Sequence, residues 1–188
     1  MLTLHVVTAS TRPGRKGRAI GEWAVTQARA HGKFAVEDID LATVNLPMFD
    51  EPRHPRLEQY EHAHTKAWSA VVARADAFVF VTPEYNFGPP PSLINAIDFL
   101  HKEGLYKPVG FVSYGGVSAG TRGVQVTKGS ITALKMMPMF ESVALPFFSQ
   151  YFHAETGVFD PGETQAKAAV SMLDELLRWA TALKPLRG

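Results

Sequence analysis

Arg12, Arg15, Lys16 and Arg18 crowd four cations into the seven residues Arg12-Pro-Gly-Arg-Lys-Gly-Arg18, in a chain whose formal net charge is only +1. Ser10 and Thr11, just before them, add hydroxyls, and Gly14 and Gly17 let backbone come close to a bound group. If a helix opens here, its unpaired N–H groups and partial positive charge complete a cradle for a terminal phosphate. Arg12 and Arg18 then add charge-assisted hydrogen bonds, each worth roughly 1.5–3 kcal/mol. The other reading of this stretch is a solvated basic loop with ordinary turn glycines.

Two further segments are as unusual. Thr82-Pro-Glu-Tyr-Asn-Phe-Gly-Pro-Pro-Pro91 holds four prolines in ten residues, which stiffen the backbone by fixing φ. Tyr85 can lie along a planar ring, Glu84 and Asn86 are polar, and a rigid wall of this kind suits an aromatic ring system. Ser113-Tyr-Gly-Gly-Val-Ser-Ala-Gly-Thr-Arg-Gly123 places adjacent glycines after an apolar run. Their N–H groups are suited to steadying negative charge on a reduced ring.

The elements that must position these loops follow from apolar periodicity. Short β-branched runs at Leu2–Thr8, 78–81 and 109–113 read as strands buried on both faces. Ala35–Leu41 alternates like a strand nearer an edge, and 142–145 reads as a fifth. Helical spacing covers 17–31, 58–75, 93–100 with Ser92 as cap, a stretch ending near Lys135, and 163–183. Five alternating βα units predict a single α/β domain over residues 1–188. The expected fold is a flavodoxin-like three-layer sandwich with a five-stranded parallel sheet in the order 2-1-3-4-5. The order reverses between strands 1 and 3, so a ligand belongs beyond the carboxyl ends of strands 1, 3 and 4. All three unusual loops lie there.

Composition narrows the rest. A hydrophobic content of 46% and a charged content of 20% exclude a disordered chain, and no apolar run reaches the ~18 residues of a membrane span. The opening MLTLHVVTAS has no basic region and is not expected to be a signal peptide. The chain has no cysteine, which excludes thiolate metal sites and cysteine nucleophiles and fits a cytoplasmic location. The near-neutral charge gives no reason to expect nucleic acid or anionic membrane as partner.

Sharper motifs are missing or incomplete. Gly14, Gly17 and Gly21 do not make G-x-G-x-x-G, although Asp40 stands near the place of a ribose-binding acid, and G-x-x-x-x-G-K-[ST] is absent. Phe111-x-Ser-x-Gly lacks the first glycine of a nucleophile elbow. No spacing of histidines and acids suggests a metal, and His5, His62 and His64 read as structural or solvated. A phospho-acceptor receiver domain needs acids where Ala9, Ser10, Thr82 and Pro83 stand. A mononucleotide phosphate suits the first loop best.

Taken together, Ser-Thr-Arg-Pro-Gly-Arg-x-Gly-Arg (10–18), Thr-Pro-Glu-Tyr-Asn (82–86), Asn-Ala-Ile-Asp (95–98) and Ser-Tyr-Gly-Gly-Val-Ser-x-Gly (113–120) resemble the NADPH-dependent FMN reductase family. Its flavodoxin-like members include quinone, azo-dye and chromate reductases. The resemblance implies non-covalent FMN, NADPH or NADH as co-substrate, and hydride passed through FMN to a small acceptor. The acceptor is then free flavin, a quinone, an azo compound or a metal oxyanion, with no protein nucleophile. It implies that Ser10, Arg12, Gly17 and Arg18 hold the FMN phosphate. Pro83, Glu84, Tyr85 and Asn86 then line the isoalloxazine, and Ser113, Gly115 and Gly116 face its pyrimidine side. Arg15 or Lys16, as spare charge at the mouth, is expected to meet the 2′-phosphate of NADPH. The family also implies a homodimer or tetramer, for which the apolar bulk of Leu46–Pro52 and Trp68 supplies a motive. Ala9, Ala119, Phe87-Gly-Pro-Pro-Pro91 and Phe99 depart from the usual pattern, the last two on the face where nicotinamide and acceptor stack. A flavodoxin-type carrier, which binds FMN without direct NAD(P)H turnover, is the alternative.

Overall fold

The computed structural model describes residues 1–187. Its frame is one parallel sheet, β1 (Leu2–Thr8), β2 (Phe34–Asp40), β3 (Ala77–Pro83), β4 (Pro108–Tyr114) and β5 (Met137–Leu145), in the order β2-β1-β3-β4-β5. This is the expected flavodoxin-like order. Parallel neighbours need crossovers, and helices supply them: α1 (Gly17–His31), α2 (Leu41–Val44), α3 (Ala63–Arg74), α4 (Pro91–Asp98), α5 (Thr121–Ala133) and α6 (Glu163–Leu183).

The three central strands are apolar on both faces because helices cover both. On one face Leu4, Val6, Val79 and Val112 pack against Ile20 of α1 and Leu173 and Leu176 of α6. On the other, Val7, Phe78, Phe80 and Phe111 meet Trp68 and Val72 of α3, Leu93 and Ile97 of α4, and Ile131 of α5. Helix α1 comes close to β1 because Gly21 has no side chain. A Cβ there would lie 2.1 Å from the Thr8 hydroxyl.

Several boundaries differ from the sequence expectation. Helix α3 starts at Ala63, not near Glu58, because Glu58 has φ 55° and the Glu51 carboxylate accepts the N–H groups of Glu61 and His62. Helix α4 starts at Pro91, and Ser92 does not cap it; the Ser92 hydroxyl donates instead to the Ala9 carbonyl, tying α4 to the end of β1. Strand β5 begins at Met137, five residues earlier than its apolar run. It is an edge strand whose first half alternates irregularly in burial, and its pairing with β4 shifts register between Val109 and Phe111. Trp68 needs no outside partner: it is 6% exposed and its indole N–H donates to the Ala96 carbonyl at 2.8 Å. Among the described residues no helix is long and apolar enough to cross a membrane.

Candidate functional site

The loops after β1, β3 and β4 meet at the carboxyl edge of the sheet. Between them lies a cleft of about 290 Å³, walled by Ser10, Arg12, Arg15, Lys16, Pro83, Glu84, Tyr85, Tyr114, Gly115, Gly116 and Phe148, among others. A smaller void of about 40 Å³ beneath α4, lined mainly by apolar side chains such as Val7, Trp68 and Phe78, is a packing gap in the core.

The floor of the cleft at one end is the start of α1. No side chain caps this helix, and its first turn contains no acid, so its positive pole and free N–H groups are uncompensated. Three hydroxyls gather there. Ser10 Oγ and the Tyr85 hydroxyl lie 3.0 Å apart. The Tyr114 hydroxyl is buried with no hydrogen-bond partner. Arg12 is exposed on the rim and, among the described residues, pairs with no carboxylate. An orphaned donor, an uncapped helix and a free guanidinium fit the phosphate of FMN, so the residues present suit the cofactor.

The basic loop is less uniform than its sequence suggested. Arg15 donates through both terminal nitrogens to Asp40 at 2.6 Å, and also to the Ser10 carbonyl. Burial favours neutral Asp40, but the bonds from Arg15 and the Ala42 N–H outweigh it and hold the carboxyl below its usual range. Arg15 is therefore not spare charge, and the Asp40 carboxylate is largely engaged by Arg15 and the Ala42 N–H. Lys16 places its ammonium 4.8 Å from the centre of the Phe152 ring. Arg18 also turns away from the cleft, forking onto Asp38 and bonding Glu22. Gly17 is buried beneath the cleft, where its missing side chain makes room for the Tyr114 phenol.

The second loop keeps its rigidity by a tight turn, with Tyr85 and Gly88 exchanging both backbone bonds at 2.8 and 3.0 Å. Asn86 and Phe87 at its tip have φ 49° and 70°, a conformation that is costly for a bulky side chain. Asn86 is thus exposed at the turn and outside the cleft wall. Glu84 is locked: its carboxylate accepts from Ser118 Oγ at 3.0 Å and from the Arg122 backbone and side chain at 3.1 and 2.7 Å. Burial pushes its carboxyl up, but these bonds win and hold it below the usual range. Arg122 lies 3.9 Å over the exposed Phe87 ring.

The third loop offers fewer donors than two adjacent glycines promised. The Gly115 N–H is taken by the Leu145 carbonyl, while Gly116 faces open space. Ser113 is 1% exposed, packed beneath Gly120, and does not reach the cleft. Sequence reasoning passed over Tyr114 and Phe148. The signal for Tyr114 was available: a tyrosine ends a buried strand directly before Gly-Gly, where its polar tip must find a partner. Phe148 had no such signal, because it comes from the segment after β5.

Similarity to known proteins agrees with this geometry. The sequence model of the NADPH-dependent FMN reductase family matches residues 2–150. An NAD(P)H-dependent FMN reductase of Nectria sp, ntnL, is 30% identical, covering 99% of this chain and 97% of that protein. Another of that name from Schizosaccharomyces pombe is 37% identical over 144 residues, 75% of this chain and 72% of that protein. The solved structure of FerB, a flavoenzyme NAD(P)H:(acceptor) oxidoreductase from Paracoccus denitrificans, shares the fold, with TM-score 0.75 at 19% identity over 97% of this chain and 99% of that one. The chain therefore belongs to the NADPH-dependent FMN reductase family, oxidoreductases that use FMN with a reduced nicotinamide nucleotide.

Proposed function

We propose that the chain passes reducing equivalents from NAD(P)H, through FMN seated in this cleft, to a small acceptor: free flavin, a quinone, an azo compound or a metal oxyanion. The observation that carries the proposal is the uncapped start of α1 opening into the cleft beside Arg12, Ser10 and Tyr85. When bound, FMN supplies the hydride chemistry; the chain's own residues bind, orient and tune. Ser10, Arg12 and the first-turn N–H groups of α1 hold the phosphate. Pro83, Glu84 and Tyr85 form one wall for the ring, and Gly115 and Gly116 form the other. Glu84 acts by fixing the loop after β4, since its carboxylate is fully engaged there. Beside the cleft, the exposed Phe87 ring lies against Arg122, whose charge Glu84 matches, and offers a flat apolar surface that favours planar aromatic acceptors.

The working unit in this proposal is a homodimer. Met48 and Phe49, 76% and 40% exposed, project from a segment that Asn95 pins beside the site, and a second copy would cover them. Light scattering that finds a monomer removes the dimer and leaves the chemistry untouched.

The decisive experiment is an anaerobic absorbance spectrum of the FMN-loaded protein before and after NADPH, followed by turnover with a quinone. Bleaching of the flavin bands and steady NADPH oxidation are expected. Flavin bands that persist after NADPH identify a carrier and overturn the proposal.

A further inference from the structure

The Tyr114 side chain is 4% exposed, and its hydroxyl has no hydrogen-bond partner. Leaving a buried hydroxyl unpaired costs roughly 1–3 kcal/mol, so the cost needs a reason. Its surroundings supply one. The phenol lies edge-on to Phe148, with ring centres 5.2 Å apart, and reaches the start of α1. A Cβ on Gly17 would fall 2.2 Å from the hydroxyl oxygen and 3.3 Å from the Ser10 Cβ. Glycine at the first residue of α1 is thus what admits the phenol to the helix terminus. Burial raises the tyrosine's pKa, so the hydroxyl stays protonated and serves as a donor.

We propose that Tyr114 donates a hydrogen bond to the terminal phosphate of the flavin and selects the phosphorylated form over riboflavin. This rests on the reading that the cleft holds FMN, and adds to it a strand residue outside the basic loop. The chemistry recognised is an anionic phosphate monoester. The uncapped helix pole and Arg12 carry positive charge, which attracts an anion and repels a cation, and the protonated phenol can donate to that anion. Inorganic phosphate shares that chemistry, and the experiment separates the two.

The test is to titrate the flavin-free full chain with FMN, riboflavin and inorganic phosphate, following flavin fluorescence, in wild type and Tyr114→Phe. A hydrogen bond to a charged group implies a ten- to hundredfold weaker FMN affinity in the variant. Riboflavin affinity is expected to stay the same, and phosphate to compete with FMN less well than in wild type. The ligand-free variant should melt no lower than wild type, because it loses a hydroxyl that had no partner. Equal losses for FMN and riboflavin would mean that the hydroxyl serves a part the two flavins share and not the phosphate, and would overturn the inference. An unchanged FMN affinity would overturn it too. A wild type that binds FMN and riboflavin equally has no phosphate subsite, which sinks the role of Tyr114 while flavin binding stands. A wild type that binds neither flavin sinks the FMN reading itself.

Discussion

Arg15 and Asp40 form a two-pronged bridge, each terminal guanidinium nitrogen 2.6 Å from a carboxylate oxygen, that ties the loop after β1 to the end of β2. Both side chains are largely shielded, 18% and 13% exposed, so the pair is screened less than a surface ion pair. Asp40→Asn should cost roughly 1–3 kcal/mol in urea unfolding, and Arg15→Lys should cost a similar amount, because an ammonium cannot reproduce the fork. With its charge already matched, Arg15→Ala should leave the ratio of kcat/KM for NADPH and NADH unchanged while weakening FMN retention. A shift in that ratio would return Arg15 to the nicotinamide phosphate.

Asn95 staples the proline-rich segment to α4. Its amide nitrogen donates to the Pro47 carbonyl at 2.7 Å, and its oxygen accepts from the Phe49 N–H at 2.8 Å. Asn95→Ala leaves both backbone groups without a partner, at a cost of about 2–4 kcal/mol in total. Hydrogen exchange should show it most directly, with the Phe49 amide losing protection far more than amides of β1.

Glu84 makes acid stability depend on the site. Its carboxyl is held below the ordinary value of 4.5 in the folded chain. The stability it contributes is therefore present above that value and is lost as pH falls through the folded pKa. Glu84→Gln should be destabilised relative to wild type by roughly 1–3 kcal/mol at pH 7. Urea midpoints of the two proteins should converge as pH drops below 4.5. A constant gap across that range would mean that the carboxylate charge is not what holds the loop after β4.

Lys107 gives a pH dependence of the same sign on the alkaline side. It is 5% exposed, donates to the carbonyls of Val72 and Ala73 at the end of α3, and has its pKa pushed down by burial and the charge of Arg187 to about 8. Between that value and the unperturbed 10.5, the unfolded chain binds more protons than the folded one, so stability from this group rises with pH. Wild type should gain on Lys107→Met by about 2 kcal/mol between pH 8 and 10. Parallel stability curves would contradict this.

How much of this was legible in the chain differs from element to element. β1, α1 and α6 are found where their periodicity puts them, since a strand buried on both faces and a helix with one apolar stripe carry their burial in local spacing. The strand order followed from the βα rhythm, and with it the edge of the sheet where the three loops meet. The start of β5 and the start of α3 were not legible, because the first depends on edge pairing with β4 and the second on the Glu51 carboxylate, which holds the N–H groups of Glu61 and His62 just before the helix. Within the site, residue types alone named the loops and the chemistry of a phosphate cradle. They did not say which cations face it. Arg15 and Arg18 differ from Arg12 only by where Asp40 and Asp38 of β2 come to lie, and Tyr114 enters only because β4 ends beside the start of α1. Local spacing is written along the chain, whereas charge pairing and the reach of a phenol are set by distances between strands far apart in sequence, and only folding brings those together.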